Sequence, residues 1–200
     1  LRKSETIKVL SLRNNDMGNS GAKALAKAIK SNKICTHLNV LGNRNIGSKF
    51  VDTLCNAYLG SSTLLSLCGV WPEGIPSSKE VHVDSLSPVD VRLLSSELGK
   101  GKSELISLDL SCEQGGNPDY EAIIRALEFN SRLISLSCSN FKLDVQSESF
   151  VGTFREALSS NSSLKTLTLI HSGTSSTYAR RALGDLLKGL QANRGLTTLR

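Results

Sequence analysis

The stretch from Ile7 to Ile34, IKVLSLRNNDMGNSGAKALAKAIKSNKI, constrains the rest of the chain. Its first part places apolar side chains at Ile7, Leu10 and Leu12, an asparagine at Asn15, and then Met17, Gly18 and Gly21 at a turn. Its second part repeats Ala22, Leu25, Ala26 and Ile29 at helical spacing. A short strand, a turn and an amphipathic helix make one unit with one apolar face, and such a unit cannot bury that face without neighbours. The neighbour follows at once: Cys35, Leu38, Val40 and Asn43 stand twenty-eight residues after Ile7, Leu10, Leu12 and Asn15.

Further along, the same pattern predicts a helix from Ser48 to Leu59 that buries Phe50, Val51, Leu54 and Cys55, and a strand carrying Leu64 and Leu67. WPEGIPSSKE then interrupts, because two prolines and a glycine cannot continue a repeat helix. The spacing of Val81 and Val83, twenty-seven before Leu108 and Leu110, makes VHV the next strand after a bypass. Ser87, Pro88 and Asp90 supply an N-cap, a first-turn proline and an acid at the third helical position. Later strands start at Leu105, Leu133, Leu164 and Leu196, with helices expected from about Pro118 to Phe129, Glu148 to Leu158 and Tyr178 to Gln191. The expectation is one array over residues 1–200, with an irregular, helix-less unit at about 67–81 and both ends falling in mid-repeat. Residues 1–6 then read as the tail of a helix, and neighbouring repeats of a longer chain are expected as partners.

No stretch approaches the ~18 apolar residues that span a bilayer, and LRKSETIKVL has no signal-peptide core. Five cysteines, without paired C-x-x-C spacing, read as small buried hydrophobes in a reducing, cytoplasmic compartment. Residues 1–50 carry ten basic side chains against two acidic, residues 51–150 seven against fourteen, and residues 151–200 seven against two. The acidic middle would repel a polyanion lying along the array, and the basic ends lack interleaved aromatics, which argues against nucleic acid. No nucleotide-binding loop, metal-ligand spacing or nucleophile motif occurs, so no cofactor, metal or catalytic residue is expected.

With strand, asparagine and helix in phase, IKVLSLRNN…GAKALAKAIKSN resembles the ribonuclease-inhibitor type of leucine-rich repeat, whose unit opens L-x-x-L-x-L-x-x-N and closes with a G-x-x-A-x-x-L-A helix. Later units keep the leucines but place Glu113, Phe141 and Ser172 in the asparagine slot. The resemblance implies an α/β leucine-rich-repeat solenoid, a horseshoe with parallel strands on the concave face and helices on the convex face. It also implies a binding scaffold, since members include nuclease inhibitors, innate-immune sensor domains and activators of the Ran GTPase.

In that geometry alternate strand residues line the concave surface. The second half of the set is almost wholly serine and threonine, which lack the Trp, Tyr and Arg anchors of tight interfaces. The candidate protein-binding residues are therefore Arg13, His37, Asn39, His82, Asp84 and Asp109. Trp71, in the bypass, is a further candidate, either as a partner anchor or as a plug for the gap where a helix is missing. Two functions are expected to compete: a non-catalytic protein-interaction scaffold with an unidentified protein partner, and a regulator of a small GTPase resembling the Ran activators.

Overall fold

A computed structural model describes residues 1–69, 79–101, 103–111, 120–141, 148–171, 184 and 187–200. Strands β1 (Val9–Ser11) and β2 (His37–Asn39) alternate with helices α1 (Asn19–Ser31) and α2 (Ser48–Leu59). After them come β3 (Glu80–Val83), α3 (Pro88–Gly99), β4 (Ser107–Ser111) and α4 (Glu121–Leu127). The last elements are β5 (Ser135–Phe141), α5 (Glu148–Ser160), β6 (Thr166–His171) and β7 (Thr198–Leu199). The fold is α/β, with strands paired in parallel and each helix packed on the next from α1 to α5.

The register is the one the leucines demand. Leu10 pairs with Leu38, and Val81, Leu108, Leu136, Leu167 and Leu199 form one row across β3 to β7. Leu38, Leu108, Leu136 and Leu167 are fully buried, each contributing about 1.5–3 kcal/mol of transfer free energy. Cys35 and Cys138 occupy leucine slots in the core, and burial pushes the Cys138 thiol up to about 12, so it stays a neutral hydrophobe. Cys112, Trp71 and most of the expected helix-less unit lie outside the described residues, as do residues 178–183 of the last expected helix. Phe50, expected in the core, is only partly buried, because Ala57 and Tyr58 join Val51, Leu54 and Cys55 on the inner face of α2.

Two further rows tie successive units together. At the turn after β2, Asn43 donates to the carbonyls of Leu12 and Val40 (both 2.8 Å) and accepts from the Asn15 and Met17 amides at 3.2 and 2.8 Å. Gly42, just before it, has φ of +75°, and a Cβ there would stand 1.7 Å from Asn14 Oδ1, so glycine is favoured. At the other edge a second asparagine ends the helices. Asn161 Nδ2 donates to Leu127 O and Asn130 O at 2.7 and 2.8 Å, while its Oδ1 accepts from the Leu164 amide at 2.8 Å. Asn32, Asn130 and Asn193 bond in the same sense, each reaching back to a preceding carbonyl and forward to the amides that open the next strand. At the beginning of the chain Asn32 Nδ2 donates to Leu1 O and Ser4 O at 2.8 and 3.1 Å, beside a turn closed by Ser4 N to Leu1 O.

Between β2 and β3 the pattern changes. Segment 64–69 touches β2 through isolated bridges at Ser66 and Cys68, and among the described residues no strand ladder runs from it to β3. Helix α2 packs directly on α3. Side chains close this seam. Lys100 Nζ donates to Tyr58 O, Ser61 O and Leu64 O at 2.7, 3.0 and 2.8 Å and lies 3.9 Å from the centre of the Tyr58 ring. Those carbonyls lie at or just past the C-terminal, negative end of α2, where a cation is favoured. Glu97, fully buried, accepts from the Leu67 amide at 2.7 Å and from Ser103 Oγ at 3.3 Å. Burial pushes its carboxyl up, against the pull of these donors. Asp90 completes the capping box of α3 with Ser87 and also accepts the Gly42 amide at 2.8 Å, so one carboxylate holds both a helix start and the preceding turn.

Candidate interaction site on the strand face

The same seam gathers most of the exposed ionisable groups of the strand face. The register sets His82 opposite Asp109, and His82 Nδ1 lies 2.9 Å from Asp109 Oδ2. Its Nε2 lies 2.5 Å from Asp84 Oδ1, at the end of the same strand. From β1's end, Arg13 Nη2 reaches over the seam to the His82 carbonyl at 2.7 Å. Four of the predicted residues, Arg13, His82, Asp84 and Asp109, thus form one connected group, with His82 and its two carboxylates well exposed. The Asp84 hydrogen bond, together with that of Asp109, holds the His82 imidazole above its ordinary range, outweighing the slight burial.

His37 and Asn39 require correction. Both were expected to be exposed, yet they are 8% and 7% accessible, and Leu41, Ser66 and Cys68 beside them are buried too. The His37 ring is turned onto Glu104, Nε2 to Oε2 at 3.3 Å, with Thr36 on its other nitrogen, and Asn39 Oδ1 is spent on the Leu41 amide. For His37 the physical reason lies outside its strand: Glu104, from ahead of β4, reaches the ring, and two-residue alternation takes no account of such a neighbour. Sequence reasoning missed Glu104 and its second partner, Lys79, whose Nζ lies 3.0 Å away. Burial works against ionised Glu104, but Lys79 and His37 together hold its carboxyl below the ordinary range. Both residues stand just ahead of their strands, where the inside–outside rule assigns no face, so only their charge could have signalled them.

The remaining rows of the face are short hydroxyls, half-buried at Ser107, Ser135, Ser137, Thr166 and Thr168. On the helix side, a groove of about 610 Å³ between α2 and α3 has a largely apolar lining that includes Ile46, Val51 and Val89. Among the described residues no three or more His, Cys, Asp or Glu side chains are arranged to hold a metal ion, and no helix is long and apolar enough to cross a membrane.

No protein-family model matches the chain. It is similar to Protein CARMIL of Dictyostelium discoideum, 29% identical over a 166-residue alignment that covers 80% of this chain. The chain spans 14% of the length of that relative. Among solved structures it is similar to the tropomodulin C-terminal domain of Caenorhabditis elegans, with a TM-score of 0.39 and 14% identity, covering 95% of this chain and 89% of that one. It is also similar to the Actin-Binding Site 2 of leiomodin-1, with a TM-score of 0.36 and 13% identity, covering 92% and 81%. None of the three proteins lends support to the GTPase-regulator alternative.

Proposed function

We propose that the chain is a non-catalytic protein-interaction scaffold, an array of ribonuclease-inhibitor-like leucine-rich repeats curved as a horseshoe, working in the reducing cytoplasm. The observation that carries this reading is the group formed by Arg13, His82, Asp84 and Asp109 on the strand face, where charge is concentrated on closely spaced parallel strands. Among the described residues four cysteines are free and buried, which suits a reducing compartment. Such a group offers fixed donors and acceptors to a protein surface, and the hydroxyl rows beside it allow close approach.

The test is capture of a partner by the whole chain, followed by titration against Arg13→Glu and His82→Ala. Loss of about tenfold in affinity for each, with the circular dichroism and melt unchanged, is expected. Full binding by the double variant removes the strand face as the site.

A further inference from the structure

The geometry at His82 points to a proton-operated clamp, in which the imidazolium holds Asp84 and Asp109 together and its deprotonation frees both carboxylates. This rests on the strand-face reading above and adds its regulation. The argument begins with donor counting. Ionised carboxylates only accept hydrogen bonds, whereas a neutral imidazole has one N–H and one acceptor nitrogen. Both ring nitrogens of His82 sit on carboxylate oxygens, at 2.9 Å from Asp109 and 2.5 Å from Asp84. Only the doubly protonated ring satisfies both.

The surroundings decide which way the clamp is biased. On the ring's own strand are Glu80, which is exposed, and Asp84. From β4 comes Asp109, and from β1 comes Arg13, whose guanidinium is on the His82 carbonyl rather than on the ring. On β5 the residue opposite Asp109 is Ser137, which carries no charge. His37, Lys79 and Glu104 form a separate cluster through Glu104. Acidic neighbours therefore dominate at the ring and favour the bound proton, in keeping with the raised imidazole noted above. With the proton on, Asp84 and His82 are internally satisfied and the clamp shows a partner one net negative charge. With the proton off, two carboxylates flank one neutral ring, repel, and become available to a cationic group. Acidification thus competes with a cationic partner and a rise in pH admits it.

The direct test is an NMR titration of the His82 ring in the whole chain at low ionic strength, assigned with His82→Gln, in the wild type and in Asp84→Asn and Asp109→Asn. The expected result is a midpoint above the ordinary histidine value of about 6.5 that each Asn variant lowers and that salt also lowers. A midpoint at or below the ordinary value, or one that neither variant moves, overturns the clamp. The titration needs no partner, so a failed binding experiment with the clamp intact would count against the strand-face reading alone.

Discussion

Where α5 follows α4, one neutral amide does three jobs: Asn161 donates to Leu127 O and Asn130 O and accepts the Leu164 amide. Where α3 follows α2, those jobs are divided. Lys100 donates to Tyr58 O and Ser61 O, whose spacing matches that of Leu127 and Asn130, and it takes Leu64 O as well. Ser103 accepts the Leu105 amide at 3.3 Å. An asparagine side chain is short, so it can serve only a neighbour at regular spacing. The four-carbon stem of lysine crosses a wider gap, at the cost of burying a charge, which the α2 carbonyls and the Tyr58 ring solvate. The seams bridged by Asn130, Asn161 and Asn193 therefore use a neutral amide, whereas the one bridged by Lys100 uses a charged side chain.

The largest effect should come from removing the lysine. Lys100→Ala strips a shared donor from three carbonyls and should cost about 4 kcal/mol in chemical denaturation, within the range for breaking a buried charged contact. A loss below about 1 kcal/mol would mean that packing around Tyr58 holds the seam and the analogy with asparagine fails. Next, Asn161→Ala leaves two carbonyls and one amide without their partner and should cost about 3 kcal/mol by the same measurement. A much smaller cost would show that regular seams rely on leucine packing alone.

The smallest effect sharpens the contrast through pH. Glu97 holds its proton more tightly folded than unfolded, because burial raises its carboxyl. The stability this contributes is fully present below the unfolded value and is lost as pH rises through the folded one. Glu97→Gln should change stability by only about 1 kcal/mol at neutral pH, since an amide oxygen can still accept from Leu67. The wild type should gain on the variant as pH falls from about 7 towards 4. A difference that stays constant over that range would show that Glu97 titrates alike in both states.

Much of the site could be read directly. The spacing of Val81 and Val83 against Leu108 and Leu110 already put His82 opposite Asp109, and the observed register agrees. Ser87, Pro88 and Asp90 announced the start of α3, and its capping box is present. The same alternation misled at His37 and Asn39, because it counts faces along one strand and knows nothing of what lies beside it. Glu97 and Lys100 gave no signal at all, since on a helix and just past its end they read as ordinary solvated charges.

The sequence by itself determined the recurring unit, the order and register of the strands, and the apolar row that β2 to β6 bury. These follow from local periodicity, which every unit repeats and which one face of water-excluded side chains enforces. Only the tertiary structure decided how the interruption is bridged, which strand residues are covered, and that Arg13 and His82, sixty-nine residues apart, share a bond. Those outcomes depend on distances between carbonyls and charges brought together by folding, and no spacing along the chain encodes them.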